Sequence, residues 1–583
     1  MIHLQKHPRY NNAIYRVDDI DFQLTPRCKF QVKPDQEISY AEYYENKYNR
    51  KLRYPEQPLL IHIKKKDGHT IHLVPELCVM TEQSPEMRAN FQLQKDIALI
   101  VRPTPQKRLS ESQKLLELLH KNEKTLKMLK EWAIDIEIEP LKVEGNKLNA
   151  GNIIMGKNNQ FPLENTPDFD RRLQAEMLEQ PKITKLGIFV SKRDQEAAQV
   201  FIDMLKKCIA EFNYPMQKPR EFIIEGSDFQ DWEASFKRHL DTSVQAVILI
   251  LPDNKKNNAA LYNACKHFLI KACPIPSQAV LASTVTKGKS LRSIVNKILV
   301  QLCAKVGGTP WMVSDLPFVD KPTMLVGIDI YTRMKDRRSS ILSYVATVNN
   351  RFSRYWSTIE VQNSGDEVTQ NLQVIARNSI LAFKETNKGT VPARIIVYRD
   401  GISESYRKTI KEMEVKAFLR AFEDLIQENQ ITTKPEFIYV CVNKKQSVKM
   451  FYGDSLTKGV VNPEQGTVVS DEITSGRDFY LISQKSPQGT VIPIHYYVLG
   501  YFANYEGEYI EIGGTLPEDL FENLQSMSYK LCFMYYNFSG AVAVPAPVQN
   551  AHKLSHLFGE RWNPRNPMTP HSNFEKYKTL YFL

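Results

Sequence analysis

Apolar positions along this chain fall into a few recurring rhythms. Between residues 183 and 313, short continuous apolar runs alternate with longer amphipathic stretches. KLGIFVS (185–191) and AVILILP (246–252) read as buried strands, and DQEAAQVFIDMLKKCIAEF (194–212) and NAALYNACKHFLIKA (258–272) as helices. That alternation predicts a parallel sheet covered by helices, with ligands at the carboxyl ends of its strands. From 314 onward the strands are TMLVGIDIYTR (323–333), ARIIVYRDG (393–401) and FIYVCVNKK (437–445), with SYRKTIKEMEVKAFLRAFEDLI (405–426) as one long helix. LCFMYYNFSGAVAVPAPVQNAHKLSHLFG (531–559) runs from a strand into a helix, with Pro545 and Pro547 suited to its entry. The earlier part is less regular. Residues 1–100 alternate short apolar runs with charged turns. Residues 101–182 read as a linker: Pro103 and Pro105 break the chain, Ser110 with Gln113 forms an S-x-x-Q capping box, and Leu115, Leu116, Leu119, Leu126 and Leu129 follow near helical spacing. VEGNKLNAGNIIMGKNNQFPLENTP (143–167) reads as irregular loop with short strands.

Two of the buried strands carry an acid. Asp329 interrupts the first run after Met324, Leu325, Val326, Gly327 and Ile328, and Asp400 ends the second just before Gly401. A carboxylate in such a strand is costly unless compensated. One isolated case reads equally well as a hydrogen-bonded structural residue. Two sheet-borne carboxylates with a helical segment between them point instead to a metal site for phosphoryl transfer, in which two divalent cations roughly 4 Å apart activate water and stabilise the leaving oxygen. His552 and His556 lie i,i+4 on the last helix. With no HExxH glutamate and no third ligand nearby, a zinc protease site is rejected, and His556 reads as packing or support.

GIDIY, IIVYRDG and VPAPVQNAHKL (544–554), in that order and spacing, resemble the PIWI domain of Argonaute proteins, and most closely the Piwi branch. The resemblance implies an RNase H-like fold and a tetrad of three acids and a histidine: Asp329, Asp400, His552 and, in SGDEVTQNLQVIARNSILAF (364–383), Glu367 in preference to the adjacent Asp366. It also implies Mg²⁺, with Mn²⁺ as a substitute, held by Asp329, Asp400 and His552. The fold expected is an α/β multidomain chain: a β-rich partial PAZ domain (1–100), the linker (101–182), a Rossmann-like MID domain (183–313) and a PIWI domain (314–583).

The same resemblance places an RNA 5′-phosphate pocket at Tyr262, Lys266, Gln278 and Lys305, with the terminal carboxylate of Leu583 close by. Lysines supply point charge, Tyr and Gln supply neutral donors, and a ring can stack on a base. Alone, Tyr262 and Lys266 read as one exposed helix face. A second lysine seen one turn before Lys305 in many relatives is Gln301 here, with Lys297 two turns before. For the RNA 3′ end, the segments YRVDDIDFQLTP, SYAEYYENKYNRKLRYPEQPLL and HLVPELCVMT resemble the later part of a PAZ domain and nominate Tyr43, Tyr44, Tyr48 and His72. Tyrosines at this density read equally as the edge of a small β core. An N-terminal domain and the earlier half of PAZ, expected of the family, do not precede this point in the sequence. SGRDFYLISQKSPQGTVIPIHYYVL (475–499) resembles a channel-lining scaffold, in which His495 reads as structural.

Composition changes this picture little. The 583 residues exceed one core, 42% are hydrophobic and 25% charged, and the formal net charge of +11 suits a polyanionic partner. No apolar run approaches the roughly 20 residues of a membrane span, and MIHLQKHPRYNN has no signal-peptide core. The eight cysteines form no C-x-x-C pair and read as reduced thiols in cytosol or nucleus. Two functions follow from the resemblance. One is a guide-loaded Mg²⁺-dependent endoribonuclease cutting a complementary target RNA, with a role in gene silencing. The other is a guide-RNA-binding scaffold that works through recruited protein partners. A third reading, a two-domain α/β protein binding another phosphorylated ligand, sets the resemblance aside.

Overall fold

A computed structural model describes the chain except for residues 1, 7–13, 34–35, 50, 64–69, 81–82, 84–86, 89, 164–167, 174, 227, 254–257, 287, 333–338, 364–370, 454–458 and 562–569. It divides into two units, Met1–Pro103 and Thr104–Leu583. Glu367 and Asp366 fall outside the described residues.

The first unit contains small antiparallel sheets, a nine-residue helix, α1 (Tyr40–Tyr48), and an eleven-residue helix over Phe91–Val101. Ser39 caps α1: its side chain accepts from the Glu42 amide while Glu42 returns to the Ser39 backbone. This is the chain's described capping box, because S-Y-A-E directly precedes a helix whose first amides need acceptors. Tyr40, Tyr44, Leu59 and Val74 form a small core.

In the second unit, the linker departs from expectation. Helix α2 (Pro105–Lys121) begins five residues before Ser110, capped by Thr104, whose hydroxyl accepts from the Lys107 amide at 3.4 Å. Proline at the first helical position supports that earlier start, so Ser110 and Gln113 lie inside the helix and form no cap. The leucine pattern also divides, because Asn122 ends α2 and caps a second helix, α3 (Glu123–Glu131).

A four-stranded sheet follows. Its strands β1 (Leu186–Ser191), β2 (Arg220–Ile224), β3 (Ala246–Leu251) and β4 (Ser277–Leu281) lie in the order β2-β1-β3-β4, all parallel. Every residue of β1 and β3 is buried, which explains their unbroken apolar runs. Helix α4 (Asn258–His267) continues into a π-helical turn, and α5 (Leu291–Lys305) covers the sheet.

A ten-stranded mixed sheet dominates the rest, beside a small three-stranded sheet of Asn152–Ile154, Gln160–Pro162 and Met312–Val313. The centre of the large sheet is β5 (Thr323–Thr332), paired antiparallel with β6 (Ser339–Thr347) and parallel with β7 (Arg394–Asp400), which pairs parallel with β8 (Glu436–Asn443). The helix expected over 405–426 is interrupted by a π-helical turn at Lys411–Val415, which carries Glu414 into the interior. Strands β9 (Asp478–Leu481) and β10 (Ile494–Tyr505) extend the sheet beyond β8. Helix α6 (Ala546–Arg561) lies across β5. That crossing needs glycine: a Cβ at Gly327 would sit 2.1 Å from the Pro547 carbonyl oxygen, and one at Gly559 2.1 Å from the Tyr331 ring. One hydrophobic core runs from the four-stranded sheet through the face of the large sheet to Leu583.

Candidate active site and lysine pocket

Three of the four expected catalytic residues meet where α6 crosses the sheet. Asp329 near the end of β5, Asp400 at the end of β7 and His552 on α6 each offer a ligand atom, all within 4.8 Å of one another. The ladder accounts for the two acids: β5 and β7 run parallel in register, Ile328 opposite Arg399, so both strands bring their acids to one end of the sheet. His552 Nδ1 lies 3.2 Å from Asp329 Oδ2, and the Ser555 hydroxyl donates to the same oxygen at 2.5 Å. Ser343 locks the crossing: its hydroxyl donates to the Ala551 carbonyl at 2.7 Å and lies 3.2 Å from the Asp329 carbonyl.

The two acids are held differently. Burial opposes ionisation of Asp329, but the hydrogen bonds from His552 and Ser555 and the charges of His552 and Lys444 outweigh it and hold the carboxyl below its ordinary value. At Asp400, burial dominates. With the Asp329 charge beside it, the carboxyl is raised, although the Lys444 ammonium forms an ion pair with Oδ2. Asp400 Oδ1 is buried and has no hydrogen-bond partner. An orphaned carboxylate oxygen beside a second acid and an imidazole is a hard-donor set that fits a divalent cation such as Mg²⁺ or Mn²⁺. Behind Asp400, the fully buried Arg399 donates to the Asp400 carbonyl at 2.7 Å and pairs with Glu414, which also accepts from Tyr439.

Lys444 and Ser555 are missing from the sequence reading, although signals for both exist. Ser555 lies at i+3 from His552, on the same helix face. Lys444 follows directly on β8, next to the strand that ends in Asp400. His556 lies against Tyr331, with ring centroids 5.7 Å apart. His495 is structural: it hydrogen-bonds Asp478 at 2.7 Å and stacks on Tyr480.

The second constellation also assembles, at an unexpected edge. Lys266 Nζ donates to the Ser277 carbonyl and hydroxyl, each at 2.7 Å. Lys305 Nζ donates to the Ser277 carbonyl and to Gln278 Oε1, each at 2.8 Å. The Tyr262 ring centroid is 5.9 Å from Lys266 Nζ. Ser277 and Gln278 begin β4, so the lysines gather at the amino ends of the strands, not the carboxyl ends. The reason is that the chain has returned to the start of the sheet where these helices end: Lys305 occupies the last turn of α5, where the carbonyl end of the dipole favours a cation, and Lys266 lies just before the π-helical turn that closes α4. Lys305 is 1% exposed, and burial, with the positive charges of Lys266 and Lys553, pushes its pKa far down. Gln301 donates instead to Asn537 at 2.6 Å, and Lys297 pairs with Asp170 at 2.5 Å, so Lys297 does not replace a pocket lysine. Leu583 is buried in the shared core, its amide donating to the Leu580 carbonyl.

In the first unit, Tyr44 is buried in the small core and takes the packing role. Tyr43 is half-buried, its hydroxyl accepting from Lys47 at 2.7 Å. His72 lies edge-on to Tyr40, with centroids 5.9 Å apart. Tyr48 ends α1, and its side chain falls outside the described residues.

The large mixed sheet, with carboxylates from adjacent parallel strands and a crossing helix that adds a histidine, defines an RNase H-like architecture. The family model for the Piwi domain matches residues 246–563 and that for the PAZ domain residues 1–102; the chain belongs to the Piwi branch of the Argonaute family. It is 32% identical to Piwi-like protein 1 of Gallus gallus over 564 residues, which cover 95% of this chain and 61% of that relative. The crystal structure of Drosophila Piwi superposes with a TM-score of 0.71 at 28% identity, covering all of this chain and 74% of that one. That of Kluyveromyces polysporus Argonaute with a guide RNA gives 0.68 at 16% identity, covering all of this chain and 67% of that one, a likeness of fold. Among the described residues, no helix is long and apolar enough to cross a membrane.

Proposed function

We propose that this protein binds a small guide RNA and cleaves RNA paired to it, in the service of RNA-mediated gene silencing. The observation that carries the reading is the convergence of Asp329, Asp400 and His552 with an unsatisfied, buried Asp400 oxygen. These three residues would hold the divalent cation, with Glu367 as the fourth member of the site. When bound, a divalent cation there supplies charge stabilisation for the attacking and leaving oxygens. Asp329, kept ionised by Ser555 and His552, offers a permanent negative donor. His552 is placed to orient or shuttle a proton beside it. Lys444 offsets the charge of Asp400. Cleavage by such a site leaves a 5′ phosphate and a 3′ hydroxyl.

The lysine pocket supports the guide-binding half of the reading. Two buried ammonium groups share one carbonyl, and the charges acting on Lys305 are positive ones. A phosphate monoester at a guide 5′ end would supply an anionic partner there. The aromatic cluster of the first unit is the proposed 3′-end contact, and the proposed setting is cytoplasm or nucleus.

The test is single-turnover cleavage. A 5′-phosphorylated guide is loaded, labelled complementary RNA and Mg²⁺ are added, and Asp400→Ala is run in parallel. The expected result is one cut at a fixed distance from the guide 5′ end, lost in the variant and in EDTA. Tight guide binding with no cut, under conditions where an active relative cuts, would replace the nuclease reading with that of a scaffold for partner proteins.

A further inference from the structure

Ser555 stands between two of the proposed metal ligands and belongs to neither. It is fully buried where α6 crosses β5. Its hydroxyl donates to Asp329 Oδ2 at 2.5 Å and lies 3.0 Å from the His552 carbonyl. A hydroxyl has one proton, and the charged acceptor at the shorter distance takes the main share of it. His552 Nδ1 approaches the same Oδ2 at 3.2 Å. Both helix contacts therefore fall on one oxygen of Asp329, and neither falls on Oδ1.

A carboxylate turns easily about its last torsion, which is broad and roughly two-fold. Fixing that torsion before a cation arrives lowers the ordering cost of binding. Packing alone does not account for the hydroxyl. An alanine would fill nearly the same space on a helix pressed against a strand, and burying a hydroxyl is unfavourable without a partner.

We propose that Ser555 is a positioning residue for the metal site: by taking Asp329 Oδ2 it fixes the carboxylate so that Oδ1 serves the cation shared with Asp400 and His552. This inference rests on reading the cluster as a divalent-cation site. Ser555 touches neither RNA nor cation, so its effect appears in metal affinity before it appears in the maximal rate.

The test titrates Mn²⁺ into the full chain without RNA, by electron paramagnetic resonance or calorimetry, for wild type, Ser555→Ala, Ser555→Thr and Asp400→Ala. Half-saturating Mg²⁺ for cleavage is measured alongside. Ser555→Ala is expected to weaken Mn²⁺ binding by about tenfold, the worth of one hydrogen bond to a charged group, and to raise half-saturating Mg²⁺ similarly. Rates at saturating metal and guide affinity should stay within about twofold of wild type, and Ser555→Thr, which keeps the hydroxyl, should restore metal binding. If Ser555→Ala does not fold, Ser555→Cys fills the same space with a weaker donor and provides the comparison. Unchanged or tighter Mn²⁺ binding in the folded variant overturns the proposal while leaving the metal site standing. Absence of Mn²⁺ binding to wild type, or equal binding by Asp400→Ala, overturns the metal reading itself and this inference with it.

Discussion

The acidic cluster on the large sheet and the lysine cluster beside the four-stranded sheet both bury charges of one sign, and they manage that charge in different ways. The acidic cluster carries internal counter-charge: Lys444 pairs with Asp400, and His552 and Ser555 attend Asp329. In the lysine cluster, the described acceptors of Lys305 are neutral, the Ser277 carbonyl and the Gln278 amide oxygen. A carbonyl dipole compensates an ammonium less completely than an ion does. The acidic site is therefore prepared for its ligand, whereas the lysine pocket leaves more of its compensation to an incoming anion.

If that contrast is right, the largest effect belongs to chemistry. Asp329→Ala or Asp400→Ala removes a donor whose cation supplies several kcal/mol to the transition state, so single-turnover cleavage should fall on the order of 10³-fold or more. Guide affinity, measured by filter binding, should be unchanged. A parallel loss of guide binding would mean that the two sites are not separable.

The lysine pocket should respond in the reverse sense. Lys305→Met removes a charge-assisted contact to phosphate, and affinity for a 5′-phosphorylated guide should drop about 10–100-fold. A 5′-hydroxyl guide should bind wild type and variant alike. Because Lys305 is buried among positive charges, the RNA-free variant should melt at a higher temperature than wild type. Its depressed pKa also fixes a pH sign: phosphate binding weakens as pH rises through the Lys305 value, below the usual lysine range. A variant that melts lower and binds both guides equally would reduce Lys305 to a structural residue.

What was legible in the sequence follows the same division. Long apolar runs announced β1, β3, β5 and β7, and acids inside such runs announced the centre, because burying Asp329 and Asp400 makes physical sense only with compensation. The compensating partners were harder to read. Lys444 reaches Asp400 across strand pairing, which one sequence does not display, and Ser555 looks like any small helix residue until the crossing of α6 over β5 is known. The same limit explains the linker. Ser110 and Gln113 match a capping pattern, but Thr104 followed by proline competes for the helix start and wins. The side of the four-stranded sheet on which the lysines gather depends on where α4 and α5 end, a matter of one or two turns.

A smaller effect probes the crossing on which the acidic site depends. Gly327→Ala places a Cβ 2.1 Å from the Pro547 carbonyl oxygen, a backbone atom that cannot swing aside. Displacing the start of α6 should cost about 1–3 kcal/mol, read by denaturant unfolding, and should reduce cleavage by shifting His552. Full stability in this variant would show that α6 yields more than the packing suggests.

The finest test sets the two acids against each other in metal-free protein. Asp329 is held below its ordinary carboxyl value, so its ionisation contributes stability above that value, and the contribution is lost as pH falls through the lowered one. Asp400 is held above its ordinary value, so its ionisation costs stability once pH exceeds that value, and the cost is relieved as pH falls. At neutral pH, Asp329→Asn should therefore lower the melting temperature and Asp400→Asn should raise it. The Lys444 left behind in the second variant is about one-third exposed and rehydrates without a large penalty. As pH falls toward the ordinary carboxyl value, about 3.9, the Asp400 difference should shrink toward zero, whereas the Asp329 difference should persist until pH falls through the lowered value of that carboxyl. Equal losses in the two variants, with the same pH dependence, would mean that one acid is not prepared and the other strained, and the contrast within the site would have to be given up. Opposite shifts would show that Asp400 is the position where folding stability has been conceded to the cation that the site is built to receive.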